Sequence, residues 1–431
     1  MVRLINCDTY DYEEFETSRF IDIDDDGYII KVGRMDEIHE NPENTVDMKG
    51  KLLLPGFVVS HTHVYSTFAR GVKLPFHPNS FKDILEQLWW KLDSKLDLES
   101  IYYSGLIGGI EFVRNGITTV VDHHASGKIR GSLRTLEKAI VEDIGLRGIF
   151  CFETSDRFNV DEAIDENLEF LGRRSEKSAG MFGLHASLSL SDETLKRVSD
   201  LLNGHPIHVH VAESVEDEED SLKRYGRRVV ERFEDFGLLT DHSILAHCVH
   251  LNEDELDILS KKDVFVAFNV SSNMNNGVGL PDYSKFKRRN IKIVVGNDGL
   301  GYGVFRDYMN LFFTQRYLKG DPKVFTFKDV MEIIDNSYDL VGRILGIKVG
   351  RVKRGYKADL VAFEYDEFTE MDEENVFSHV FFGIFDSPRI SDVMVDGKFI
   401  MKDGKIIPLD ERKVFEEALR VSRNLWKRLM E

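Results

Sequence analysis

The chain has 431 residues, 56 of them Lys or Arg and 75 Asp or Glu, for a formal charge of −19. So acidic a chain repels phosphate backbones and anionic lipid surfaces, which argues against nucleic acid or a membrane as partner. With 42% hydrophobic and 11% aromatic residues it can bury a large core, which excludes wholesale disorder. No apolar run approaches the roughly 18 residues that span a bilayer, and the opening residues lack the apolar stretch of a signal peptide. Cys7, Cys151 and Cys248 lie far apart with no CxxC pair. A cytoplasmic protein without disulfides or a cysteine-based zinc site is expected.

Residues 18–33 read as strand, turn, strand, with Asp24-Asp25-Asp26-Gly27 as the turn. Between about 51 and 349 the texture changes. Short apolar runs at 52–60, 117–122, 146–152, 181–186, 206–211, 243–246, 264–268 and 291–295 alternate with amphipathic stretches at 98–114, 133–142, 192–202 and 222–236. Eight strands alternating with helices predict an α/β fold of the (β/α)8 TIM-barrel type. The acidic run 213–220 reads as solvated apart from its first residue. Near the far end, 360–363 is a short strand, Asp396-Gly397 and Asp403-Gly404 mark two further hairpins, and a helix starts at Glu411. The expected division is residues 1–50 and 350–431 as two halves of a small β-sandwich, with 51–349 as the barrel between them.

The chemistry collects at strand ends. The first strand runs into His61-Thr62-His63, and residues two apart on a strand face the same way. The fifth carries His210, with Glu213 three residues on. The sixth ends at His247 and the eighth runs into Asp298. A barrel gathers these ends around the mouth where such folds place their active sites. Imidazole and carboxylate suit a divalent metal such as zinc. His208, two residues before His210, is expected one layer deeper, in a core hydrogen bond.

Pro55-Gly56-Phe57-Val58-Val59-Ser60-His61-Thr62-His63, with Phe68-Ala69-Arg70-Gly71 after it, resembles the opening motif of the amidohydrolase superfamily. His210-Val211-Ala212-Glu213-Ser214, Leu245-Ala246-His247-Cys248-Val249-His250-Leu251, Val295-Gly296-Asn297-Asp298-Gly299 and Gly355-Tyr356-Lys357-Ala358-Asp359-Leu360 resemble its later motifs, in order. The HxxE after strand five points to the deaminase and chlorohydrolase branch. Leu88 to Asp93, Val121 to Ser126 and Ser272 to Asn276 look closest to aminohydrolases linked to selenium metabolism. The resemblance implies that His61, His63, His210 and Asp298 hold one divalent metal, zinc in preference to iron or manganese. It implies that Glu213 shuttles protons and that His247 holds the attacking water or polarises the leaving centre. Asn297 stands where the family usually has Thr, and Asn269-Val270 where it often has a His-led motif, which bears on substrate more than on metal. No Lys occurs in 146–153 or 181–187 to bridge two metals, so one metal is expected.

The implied activity is hydrolytic deamination of a small nitrogen heterocycle (purine, pyrimidine, pterin or triazine) with release of ammonia. Removal of chloride from a similar ring uses the same attack and stands as an alternative. A non-catalytic barrel serving as an assembly or regulatory subunit is another. Asp93 and His185 sit where related deaminases carry substrate contacts. Trp90, with Tyr65, Phe68 and Trp89, suits either cover for an aromatic ring or packing of a helix onto the barrel. His123, His124, Asn273 and Asn276 are further candidates at the mouth. A small heterocyclic substrate is the expected partner, and a homo-oligomer is compatible.

Overall fold

The computed structural model describes residues 1–40 and 42–431. The chain opens with strands β1 (Val2–Tyr10), β2 (Phe15–Ile23), β3 (Ile29–Arg34), β4 (Thr45–Asp47) and β5 (Leu52–Pro55). There follow β6 (Phe57–Thr62), β7 (Ile117–His124), β8 (Arg147–Phe152) and β9 (Ser178–Gly180), which form one parallel sheet. A second parallel sheet holds β10 (Phe182–Ala186), β11 (Ile207–Val211), β12 (Ile244–His247), β13 (Phe265–Phe268) and β14 (Lys292–Val295). Last come β15 (Leu360–Phe363), β16 (Ile390–Val395), β17 (Lys398–Lys402), β18 (Lys405–Ile406) and a helix, Glu411–Met430.

The two parallel sheets meet at both ends. On one side only Met181 separates β9 from β10, and Thr154 pairs with Leu184 in a parallel bridge. On the other, Thr62 pairs with Asp298, and the amides of Asn297 and Asp298 both donate to the His61 carbonyl, at 3.0 and 3.2 Å. Every residue of β6, β7, β8, β10, β11, β12 and β13 is buried. That is why these strands are mostly apolar on both faces, with polar residues gathered near the C-terminal ends of β6 and β7 and alternating in β11. Helices such as Leu98–Arg114, Asp192–Leu202 and Phe327–Leu345 lie between the strands in sequence and cover them.

The first apolar run, 52–60, is two strands and not one. Its first half, β5, pairs with β1 and β15, while its second half, β6, pairs with β7. The chain changes sheets at Gly56, whose amide donates to the Asp359 carbonyl at 2.8 Å while the amide of Phe57 donates to Gly116 at 3.0 Å. A Cβ on Gly56 would lie 2.1 Å from Thr118 Cγ2, so only glycine fits the crossing. Both chain ends join in one nine-stranded sheet of order β18-β17-β16-β15-β5-β1-β2-β3, with β4 beside β1. It carries a second apolar core, built around Leu4, Ile21, Ile29, Leu53 and Leu360.

Two expectations need correction. The stretch 222–236 is broken at Gly226 (φ 67°), which ends the helix Val215–Tyr225 before another, Val229–Asp235, begins. The acidic run 213–220 is solvated at Glu216 and Glu219 but not at Asp217 and Glu218. Asp217 is buried and accepts from the amides of Leu188 and Ala212, and Glu218 is buried against Arg228.

Candidate metal and active site

The predicted strand ends converge. One nitrogen each of His61, His63 and His210 and one oxygen of Asp298 lie within 4.8 Å of one another, a group able to hold a metal ion. His63 Nε2 is 3.0 Å from Asp298 Oδ1, His61 Nε2 is 3.5 Å from the same oxygen, and the Nε2 atoms of His63 and His210 are 3.1 Å apart. A second cluster, Glu213, His247 and Asp298, adjoins it.

Hydrogen bonds behind the rings fix what they present. His63 Nδ1 donates to the His123 carbonyl at 2.7 Å, and His210 Nδ1 donates to the His185 carbonyl at 2.9 Å. In neutral rings those protons leave lone pairs on both Nε2 atoms, facing each other. His61 Nε2 is buried with no hydrogen-bond partner among the described residues. Two opposed acceptors and one orphaned acceptor, beside a carboxylate, are what a cation between them would satisfy. The charge balance agrees. Burial pushes His61 down to about 3, keeping it neutral. Burial works against a proton on His63, but contact with Asp298 prevails and lifts it to about 9. Burial works against the charge on Asp298, but its close contacts with His61 and His63 prevail and hold it well below the usual carboxylate range. The donor set therefore wants positive charge and fits a divalent metal.

Backbone strain builds the rim. Ala212, His247, Cys248 and Asp298 all have left-handed φ values, between 45° and 74°. Such angles are uncommon for residues with a Cβ and collect at sites where the surrounding structure enforces them. They turn His247 and Asp298 inward just past their strands. His247 Nε2 lies 3.5 Å from Glu213 Oε2. Burial, and then the charge on Asp298, push the Glu213 carboxyl well above its ordinary range, which favours its protonated form.

A cavity opens over these groups, lined by Tyr65, Trp89, Trp90, His185, Glu213 and Asp298 among others. Aromatic walls with a few convergent polar groups suit a planar heterocycle. The residues expected to touch substrate take different positions. His185 reaches the cavity with Nδ1 2.6 Å from Ser189 Oγ. Trp90 lines it too, with the Arg157 guanidinium 4.7 Å from its ring centre. Asp93 also lines it, buried at 1% exposure, but is tied to Arg157 at 2.9 Å. Arg157 in turn binds Glu153 at 2.8 Å, at the end of β8. His123 and His124 are fully buried, and His123 Nε2 bonds the Leu184 carbonyl, so neither lines the cavity. His208 is in the deeper layer as expected, and its Nε2 lies 2.8 Å from His61 Nδ1, behind the metal-facing edge.

Sequence reasoning passed over Glu153 and Arg157, and met Asn269 and Ser272 only as parts of family motifs. Glu153 carried the same signal as the others, an ionisable residue one step past a strand, and Arg157 stands four residues on from it. Asn269 and Ser272 offered no sign of their roles, because their partners His247 and Asp298 are remote in sequence.

Fold and site together define a metal-dependent hydrolase class. Residues 52–400 match the model of the amidohydrolase family, and the chain belongs to that family. Among curated proteins it is 27% identical over 406 residues to the 5'-deoxyadenosine deaminase of Methanocaldococcus jannaschii, covering 90% of this chain and 93% of that protein. It is 29% identical over 393 residues to the 5-methylthioadenosine/S-adenosylhomocysteine deaminase of Desulfitobacterium hafniense, covering 88% and 87%. Among solved structures, an adenosine deaminase from Xanthomonas campestris with bound zinc superposes with a TM-score of 0.85 at 20% identity, covering 99% of this chain and 98% of that one. Atrazine chlorohydrolase from Arthrobacter aurescens, complexed with zinc, gives 0.83 at 19% identity, covering 98% and 100%. Family and fold likeness carry a TIM-type barrel and a hydrolase acting on carbon–nitrogen bonds. No helix among the described residues is long and apolar enough to cross a membrane.

Proposed function

We propose that this chain is a zinc-dependent deaminase of adenosine-type nucleosides, replacing the exocyclic amine of the purine by oxygen and releasing ammonia. The observation that carries the reading is the pairing of the His61, His63, His210 and Asp298 donor set with the buried carboxyl of Glu213 3.5 Å from His247, beneath an aromatic-walled cavity. The curated relatives, named as deaminases of adenosine derivatives, support the substrate class.

His61, His63, His210 and Asp298 would hold the metal. When bound, a divalent metal lowers the pKa of a coordinated water to about 7 and so makes attack feasible at neutral pH. The rest is done by the chain. Asp298 orients the attacking water and takes its proton. Glu213 protonates the ring nitrogen beside the attacked carbon, and His247 Nε2 holds the water by accepting a hydrogen bond. The new C–O bond gives a tetrahedral carbon. Asp298 returns its proton to the amine, the C–N bond breaks and ammonia leaves, and the hydroxyl proton passes to Glu213 as the carbonyl forms. Trp89 and Trp90 cover the ring, His185 faces its edge, and Asp93 acts from the cavity wall with its charge shared by Arg157.

We infer further that the two parallel sheets form one eight-stranded barrel beginning at Phe57. Bridges at both seams support this. The nine-stranded sheet then folds over its own core as a two-layered β piece made from 1–55 and 350–431, as the separate apolar cluster there supports. Three buried, unpaired cysteines support a cytoplasmic setting.

The test is a zinc-loaded preparation of measured metal content, offered 5'-deoxyadenosine, 5'-methylthioadenosine, adenosine, guanine and a chlorotriazine. Ammonia release from the nucleosides, lost on chelation and restored by zinc, is the expected result. Chloride release without ammonia would move the enzyme to the alternative chemistry. No turnover at full metal occupancy would remove the reading.

A further inference from the structure

One helical turn after β13 reaches all three groups that handle protons. In the helix Val270–Asn276, Ser272 Oγ donates to Asp298 Oδ2, Asn273 Oδ1 lies 2.7 Å from His247 Nδ1, and Asn276 Nδ2 lies 3.4 Å from Glu213 Oε1. Asn269, just before the helix, places its Nδ2 3.4 Å from His247 Nε2, so amides flank both ring nitrogens. Asn273 is fully buried, and its own Nδ2 has no partner among the described residues. A side chain kept only for packing would be apolar, since a stranded buried amide hydrogen is costly. The bond from Oδ1 to His247 is the one polar contact this side chain makes among the described residues.

An amide oxygen at Nδ1 requires the proton to be there, which leaves the Nε2 lone pair facing Asn269 and Glu213. The opposite tautomer would set an N–H against the amide hydrogens of Asn269. We propose that Asn273 is a positioning residue of the reaction: it fixes His247 with the proton on Nδ1, so that Nε2 is the acceptor that holds the attacking water. This rests on the deaminase reading above. Ser272 and Asn276 act from the same turn on the other two groups, which makes the turn a single alignment device.

The experiment compares wild type, Asn273→Ala and Asn273→Asp, each zinc-loaded and with zinc content measured. Kinetics are followed on 5'-deoxyadenosine, and the His247 nitrogens by ¹⁵N NMR of histidine-labelled protein, assigned by difference from His247→Gln. Wild type should show a protonated Nδ1 and a bare Nε2. Asn273→Ala should lose this single tautomer and about 10–100-fold in kcat, as losses of such supporting partners typically do, with KM and zinc content little changed. Asn273→Asp keeps the acceptor and should recover both the tautomer and most of kcat. A proton on Nε2 in the wild type, or an Asp variant as impaired as the Ala variant, overturns the inference. The spectra need no substrate. A wild type that deaminates nothing would therefore remove the deaminase reading alone, and the tautomer would still be decided.

Discussion

Glu213 is where a single atom decides the chemistry. Its carboxyl is buried beside the Asp298 charge, which favours the protonated form that a ring nitrogen would draw on. Glu213→Gln keeps the shape and removes the acid. Turnover should fall by about 10²–10⁴-fold, the usual worth of a positioned acid or base. Zinc content should not change, because Glu213 is outside the group of four metal donors. A variant with near-native turnover, or one that loses its metal, contradicts the assignment. Asp122 offers a second residue-scale test. It accepts from the Val64 amide at 2.7 Å, its other oxygen has no partner among the described residues, and burial lifts its pKa from 3.8 to about 7. Between those values the folded chain binds the proton more tightly than the unfolded one, so stability falls as pH rises through this window. Asp122→Asn removes that slope. Denaturation midpoints measured at pH 5 and pH 8 should show the variant gaining on wild type at the higher pH, by an amount of order 1–3 kcal/mol.

At the scale of elements, Gly56 separates two sheets within one apolar run. A Cβ there meets Thr118 side-chain atoms at 2.1 and 2.3 Å, with no flexible tail to give way. Gly56→Ala should cost about 1–3 kcal/mol as an overpacked contact. Adding Thr118→Gly should recover part of the loss, read as the denaturation midpoint of the double variant against each single one. The same region shows what sequence could and could not disclose. Eight of the nine parallel strands were legible because burial leaves them mostly apolar, with the short β9 just ahead of the run 181–186 passed over, yet nothing in the run 52–60 marked the change of partner. That change depends on Gly116, Asp359 and Thr118, all remote in sequence. The clustering of His61, His63, His210 and Asp298 was legible because strand period and strand end are local properties. Val270–Asn276 was not legible as a helix, since Ser and Asn favour turns in isolation. Here the first-turn residues Ser272 and Asn273 find side-chain partners on other strands. Asp93 was legible as an acid at the cavity but not as one half of an ion pair with Arg157.

Across the whole molecule, the parallel sheets must be held against the sheet built from both chain ends, because strand β6 begins one residue after β5 leaves it. Arg147, the first residue of β8, spans that junction. It is fully buried, binds both oxygens of Asp359 at 2.6 and 2.9 Å, reaches Asp396 at 3.1 Å, and donates to the Glu176 carbonyl at 2.7 Å. Asp359 immediately precedes β15, and its carbonyl receives the Gly56 amide. One guanidinium thus connects the barrel strands, the return into the terminal sheet and the crossing at Gly56. Arg147→Leu would leave Asp359 charged and unpaired in a dry junction, which typically costs about 3–5 kcal/mol. Asp396 would keep Lys357 and Lys177, at 3.0 and 3.3 Å. The orphaned Asp359 should therefore account for most of the loss, and Arg147→Leu with Asp359→Leu should be more stable than Arg147→Leu alone. Urea denaturation of the zinc-loaded proteins measures the difference. A double variant no better than the single one would mean that the hydrogen bonds to Glu176 and Asp396, rather than the buried ion pair, hold the two parts of the molecule together.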